Sequence, residues 1–484
     1  MIIPDYTPSM LLALLPPILL LALAGLILLA DALWGEERRN GLGWLTLGGL
    51  AIILVITLIL GRPVSEETLI FGGMLRHDWP AFTFSIIFLF AAAVTVLLSM
   101  GLPGIGDRGE YYTLLVVTVL GMTLMAAAAD LIMLYLAIET TSIPLYVLAG
   151  FLKSDDKSAE SGLKYFLFGA LTSTVMLYGF SLLYGFSGET NLYRLAQVVG
   201  GAALSPWVLG GLALLILVGF GFKISGVPFH FWSPDVYEGA PTPITAFIST
   251  ASKAAGFAVL VRVMLAVFPA IEGYWSVILA AMAVATMTLG NLLAIVQTNI
   301  KRLLAYSSIA HAGYAMIGLV ALSQLGAASL VFYLAAYVVT NLAAFAVVIL
   351  FSRSAGSELI ADYAGLSRRA PGLALALLVA FLSLAGMPPL AGFVAKVYVF
   401  AAAVQSGWIW LAFAGVLNAI IGLYYYLIVL KVVYLYRSED EDKPILVPRP
   451  YGIALGLCVA GILLIGGFSG PWLDWALRMS ASLF

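Results

Sequence analysis

Charge is scarce in this 484-residue sequence: 10% of residues are Asp, Glu, Lys or Arg, against 62% hydrophobic and a mean hydropathy of +1.06. A soluble chain of that length needs more charge to cover its surface, so a water-soluble enzyme is excluded. The formal net charge of −2 gives no attraction for nucleic acid. Cysteine occurs once, as Cys458 in an apolar run, which excludes a disulfide within the chain and any cysteine-ligated metal or iron–sulfur site. That residue reads as lipid-facing. Neither GxxxxGK[ST] nor GxGxxG occurs in a strand–helix setting, so nucleotide chemistry is not expected. No Lys or Arg precedes the apolar run after Thr7, so that run reads as a membrane span and not as a secretory leader.

What fills the chain instead is apolar sequence in lengths suited to a bilayer. At about 20 apolar residues per crossing, it reads as an all-α membrane protein with about 14 transmembrane helices. They lie near 9–32, 42–61, 80–101, 111–128, 129–151, 160–186, 206–229, 242–268, 275–297, 302–322, 328–352, 372–405, 408–436 and 450–470. Asn191–Gly200 is too short to cross and reads as an interfacial helix. Loops after odd-numbered spans hold 13 Lys and Arg, and the other side holds four, Arg62, Arg76, Arg194 and Arg478. By the positive-inside rule, both termini face away from the cytoplasm.

Two spans are interrupted, the seventh by Gly226-Val227-Pro228 and the twelfth by Gly386-Met387-Pro388-Pro389. Glu139 and His311 likewise sit mid-span in the fifth and the tenth. Features recurring five spans apart predict two five-helix repeats, inverted because five is odd. The expected blocks are 1–110 (the first three helices), 111–268 and 269–436 (the repeats), and 437–484 (a loop and the last helix).

An ionisable residue inside a span costs at least about 2.5–3.5 kcal/mol. The stretch ILVGFGFKISGVPFHFWSPDVYEGAPTPITAFISTASKAAGF places Lys223 and Lys253 on either side of a Pro-rich turn. Backbone broken inside lipid is tolerated only where protein or internal water satisfies it, so a lysine beside a break points to an ion pathway. Glu139, in LYLAIETTSIPLYVLAGF, is either a carboxylate that answers a lysine's proton or half of a fixed ion pair. Lys253 is a relay or a counter-charge. Lys396, in GMPPLAGFVAKVYVF, is a functional cation or a snorkelling one. Lys164, at the start of the sixth span, either snorkels or pairs with Glu139. His311, with Ser307, Ser308 and Tyr314 nearby, carries protons through hydrogen-bonded water or is satisfied by a neighbouring helix. His230 reads as near the pathway mouth, Asp130, Arg262 and Lys431 as span-end or interface charges, and Glu439–Asp442 as a solvated or docking edge. His77-Asp78, in an outer loop, is given no role.

AIETTSIPLYVLAGF, GFKISGVPFHFWSPDVYEGAPTPITAFISTASKAAGF and NIKRLLAYSSIAHAGYAMIG together resemble the antiporter-like membrane subunits of respiratory complex I and the related Mrp-type cation/proton antiporters. The lysine after GMPP is similar to the N branch of that family. The resemblance implies proton translocation driven by quinone reduction elsewhere in the complex. It makes Glu139 the acidic partner of Lys223, Lys164 a modulating lysine, Lys253 the connecting lysine, His311 part of a central axis and Lys396 the exit-side lysine. It implies no cofactor in this chain, with flavin, iron–sulfur clusters and quinone in partner subunits. The implied surroundings are neighbouring membrane-arm subunits and the lipid of a bacterial inner membrane. An Mrp-type antiporter subunit and a structural scaffold are the alternatives.

Overall fold

Lipid offers backbone groups no partner, so apolar runs of crossing length close their hydrogen bonds as helices. The computed structural model describes residues 8–63, 68–201 and 204–483, so the stretch before the first span, used above against a leader, lies mostly outside them. The first helices are α1 (Pro8–Leu33), α2 (Leu42–Leu60), α3 (Trp79–Ser99), α4 (Gly109–Ala127), α5 (Leu131–Ala149) and α6 (Asp156–Ser187). They are followed by the short α7 (Leu192–Gly201), α8 (Pro206–Ile224), α9 (Trp232–Gly239), α10 (Thr242–Phe247) and α11 (Lys253–Val267). Next come α12 (Glu272–Ile295), α13 (Ile300–Val320), α14 (Gln324–Ala355), α15 (Leu366–Arg369), α16 (Pro371–Ala385) and α17 (Ala391–Gln405). The chain closes with α18 (Ile409–Leu435), α19 (Arg449–Gly467) and α20 (Ser469–Ala481). Thirteen helices among the described residues are long and apolar enough to cross, counting α10 and α11 as one. The expected twelfth span is split into α16 and α17, which gives the fourteenth crossing.

The seventh span ends at Ile224, five residues earlier than expected. Ser225 takes a left-handed φ of 57°, and a cis peptide bond at Val227-Pro228 leads into α9. The twelfth breaks the same way, with Gly386 at φ 89° and a cis bond at Pro388-Pro389. A third irregularity was not foreseen: residues 248–252 form a π turn between α10 and α11, immediately before Lys253. Such turns inside helices gather at functional positions.

The helices pack as two compact units. The first takes the chain up to Ile224, Ala251–Trp275 and the residues from Arg478 onward. The second takes Ser225–Thr250 and Ser276–Leu477. Within the first, α4 lies close against α5. A side chain at Gly121 would meet the Thr141 backbone nitrogen at 2.7 Å, so only glycine permits the approach.

Local features recur in the order the repeat expectation requires. Asp130 caps α5, and Asn299 caps α13. Each joins a short antiparallel bridge, Asp130 with Asn191 and Asn299 with Leu359. The 32-residue helices α6 and α14 both end on a left-handed glycine, Gly188 and Gly356. Counted from the caps, Glu139 lies nine residues in and His311 twelve, so the positional counterpart of His311 is Ser142.

Three readings need correction. Cys458 is fully buried on α19 and does not face lipid. Asp78 and Arg262 are buried as well, so Asp78, in the loop before α3, does have a structural role and Arg262 is not an exposed interface charge. Asp78 caps α3 by accepting from the Ala81 amide and receives a two-pronged contact from Arg262 at 2.8 and 2.9 Å. Asp130 is a span-end cap as read, accepting from the Ile132 and Met133 amides. The acidic run docks on its own chain: Glu441 pairs with Arg368. Lys443 donates to Asp440 and holds that carboxyl below its ordinary range. The amphipathic α20 was not anticipated. Its exposed Trp472 and Trp475 suit a membrane interface.

Candidate proton-translocation site

In the first unit the site is assembled from α5, α6, α8 and α11. Glu139 projects from the middle of α5 and accepts a hydrogen bond from Ser173 on α6. Three residues further along α5, on the same face, Ser142 receives the Lys223 ammonium at 2.5 Å. The ammonium therefore stands within a helical turn of Glu139 along α5. Because α8 stops at Ile224, Lys223 occupies its last turn, where the negative end of the helix favours a cation by roughly 0.3–1 kcal/mol.

The stem of Lys223 lies against Gly256 of α11, where an added Cβ would meet its Cγ at 3.1 Å. Lys253, buried at 2% exposure, lies three residues before Gly256 and so on the same helix face. The structure thus brings Glu139, Lys223 and Lys253 together. Lys164 is placed differently: one-third exposed on α6, it pairs at 2.6 Å with Glu160 one turn earlier.

In the second unit His311 is held on both ring nitrogens. The Tyr333 hydroxyl lies 2.7 Å from Nδ1 and the Tyr426 hydroxyl 3.3 Å from Nε2. Tyr426 also bonds Ser307, and the Tyr337 ring lies 5.0 Å from the imidazole. A cavity of about 10 Å³, about the space of one water, is lined by His311, Tyr337, Thr340, Ser383 and Leu384 among others. Leu384, one of its lining residues, also accepts from Lys396. Although ten residues beyond the break in sequence, that lysine's side chain folds back and donates to the Leu384 and Ala385 carbonyls, both at 2.9 Å. Those carbonyls terminate α16, so both break-side lysines sit at the negative end of an interrupted helix.

A chain profile described as "NADH:quinone oxidoreductase/Mrp antiporter, TM" matches residues 128–422. NADH-quinone oxidoreductase subunit N of Moorella thermoacetica is 43% identical over 96% of this chain and 98% of that protein. The corresponding protein of Trichlorobacter lovleyi is 44% identical over 93% of each. The chain belongs to the subunit N family of NADH-quinone oxidoreductases. Its structure is similar to a chain of respiratory complex I from Thermus thermophilus, with a TM-score of 0.80, 35% identity, and coverage of 95% and 98% of the two chains. A chain of the Mrp complex from Dietzia shares the fold, with a TM-score of 0.87 at 20% identity over 99% and 98% of the chains.

Within this subunit N family chain, sequence reasoning missed several polar groups of the site. Lys301, counted as a loop charge, is buried at the start of α13, donating to the Ala240 carbonyl and pairing with Glu358. Beside it Arg302 bridges Asp235 and Glu238, at 2.9 Å each, and so fixes α9 just after the seventh-span break. His230 is buried against the Phe231 ring next to that break. Asn291, Asn418, Tyr425 and Tyr426 form a buried hydrogen-bonded group. Asparagines and tyrosines within apolar runs were the available signal, and attention to charged residues passed over them.

Proposed function

We propose that this chain is a proton-translocating subunit of a membrane-bound NADH-quinone oxidoreductase, moving protons through Glu139, Lys223, Lys253, His311 and Lys396. The observation that carries this reading is the Lys223 ammonium, seated on Ser142 one turn from Glu139 at the end of a broken helix. A cation held there by a helix end and a carboxylate changes its proton affinity when the carboxylate moves or is neutralised. Electrostatic change in a neighbouring subunit acts on Glu139, which lies half-buried on α5 beside the exposed Leu136 and Ile143. A carboxylate in such a place calls for cover by a partner protein in preference to lipid.

The proton taken up by Lys223 passes to Lys253 and onward through the second unit. There, His311 accepts on one nitrogen and donates from the other, with tyrosine hydroxyls at both. Water in the adjoining cavity leads to the carbonyls that hold Lys396, the exit-side group. Lys164, paired with Glu160, acts as a modulating charge on the Glu139 side. Residues 111–268 and 269–436 are the two inverted repeats, one supplying the loading residues and the other the discharging ones. Flavin, iron–sulfur clusters and quinone belong to partner subunits of the membrane complex. The bacterial inner membrane is the location, with both termini away from the cytoplasm, as the 13-to-4 loop-charge bias supports.

Glu139→Gln tests the coupling. It keeps a Ser173 acceptor but removes the charge, so the assembled complex should pump fewer protons per electron while still reducing quinone. Wild-type pumping in that variant contradicts the assignment of Glu139.

A further inference from the structure

Lys396 is buried, and its charge is balanced in an unusual way. The helices packed most closely against α17 are α13, α14, α16, α18 and α19, none of whose sequences contains Asp or Glu; α20, which meets α17 where Tyr398 donates to Ser469, carries Asp474 and Arg478 further along. Their titratable groups on this region are His311 and Tyr314 of α13, Tyr333 and Tyr337 of α14, and Tyr425 and Tyr426 of α18. Helix α19 adds Tyr451 and Cys458 nearby, and α16 has none. Two carbonyls of α16 accept from the ammonium, and the Tyr314 ring lies 4.9 Å from the nitrogen. An aromatic face at that distance attracts a desolvated cation. The same ring neighbours the second proton carrier, since the imidazole of His311 is 5.7 Å from it.

What holds the hydroxyl of that ring is an amide. Asn291, 1% exposed on α12, donates to the Tyr314 hydroxyl at 3.1 Å and to the Asn418 backbone carbonyl at 3.0 Å. Its oxygen accepts from the Tyr425 hydroxyl at 3.1 Å. The Tyr425 ring lies 4.4 Å from that of Tyr426, the tyrosine that faces His311, tilted at 53° to it. One buried asparagine therefore ties the ring under Lys396 to the aromatic pair beside His311.

We propose that Asn291 is a positioning residue for Lys396: by fixing the Tyr314 hydroxyl, it sets the ring face that stabilises the ammonium, and with it the hand-over from His311. The inference rests on the reading of Lys396 as the exit-side group. Asparagine carries no proton here. Its contribution is geometric, and it acts through the ring of Tyr314, whose hydroxyl serves only as the tether.

That division of labour fixes the test, made on the assembled complex in proteoliposomes with quinone reduction and proton pumping measured together. Lys396→Ala defines the share of pumping that depends on this group. Tyr314→Leu, which removes the ring, is expected to lose most of that share, whereas Tyr314→Phe, which keeps the ring but cuts its tether, loses a smaller part. Asn291→Leu cuts the same tether from the other end and is expected to lose a similar part. Because both substitutions break one contact, combining Asn291→Leu with Tyr314→Phe should pump no worse than Asn291→Leu alone. A double substitution whose losses add shows that the amide acts apart from the hydroxyl, and that outcome overturns the proposal. So does equal damage from Tyr314→Phe and Tyr314→Leu, a comparison that stands even where Asn291→Leu does not assemble. Undiminished pumping in Lys396→Ala defeats the exit-group reading itself. Loss in Lys396→Ala with normal pumping in Tyr314→Leu defeats only the positioning role.

Discussion

Arg262→Leu is expected to deplete the assembled protein, at a cost of about 3–5 kcal/mol, the range for removing one partner of a buried ion pair. The guanidinium contacts both oxygens of Asp78, the Tyr193 hydroxyl and the Ala126 carbonyl, and it is 3% exposed. Its loss leaves a fully buried carboxylate with Arg76 at 3.4 Å as its remaining ion-pair partner. It also frees a carbonyl near the end of α4. The pair joins α3 to α11, and through Tyr193 it reaches the interfacial α7. Asp78→Asn combined with Arg262→Leu should recover part of the loss, because asparagine still caps α3 and no fully buried carboxylate is stranded. Thermal unfolding of the purified complex checks both variants. Equal stability of the single and double substitutions contradicts the charge-based explanation.

Gly386→Val is expected to abolish the pumping that depends on Lys396. The residue sits at φ 89°, a backbone region costing an L side chain about 1–2 kcal/mol. A Cβ there would meet the Lys396 Cδ at 2.9 Å and its Nζ at 3.2 Å, so the ammonium must leave its seat. The Leu384 and Ala385 carbonyls then lose their donor inside the protein, at about 1–3 kcal/mol for each buried group left unsatisfied. Gly386→Ala should cost less, since alanine brings the same Cβ without branching. Proton pumping at matched quinone reduction separates this from simple loss of protein. Normal pumping by the valine variant contradicts the seating of Lys396 on the broken helix.

The crossings were legible because lipid forces a long apolar run into a helix, and the two breaks because proline and glycine cannot continue one. Glu139, Lys223 and Lys253 were legible as a group because a mid-span charge is too costly to be incidental. Lys396 was found, but its seat was not: spacing along the chain placed it ten residues past the break, and only tertiary folding returns it there. Lys164 was read as snorkelling or pairing with Glu139, and its partner Glu160, one helical turn earlier, was passed over. Asp78 and Arg262 are 184 positions apart, and no periodicity connects a loop residue to a distant span. The π turn before Lys253 left no clear mark beyond the small polar residues of ISTAS. Asn291 and the tyrosine cluster escaped because neutral polar side chains scarcely alter the hydropathy of a span.

The most direct measurement is the proton-to-electron ratio of the assembled complex carrying Lys223→Ala, with quinone reduction followed in the same proteoliposomes. A lowered ratio with quinone still being reduced is the expected result, because the seat between Ser142 and the α8 end then holds no titratable cation. An unchanged ratio at an unchanged rate of quinone reduction contradicts proton translocation through this group.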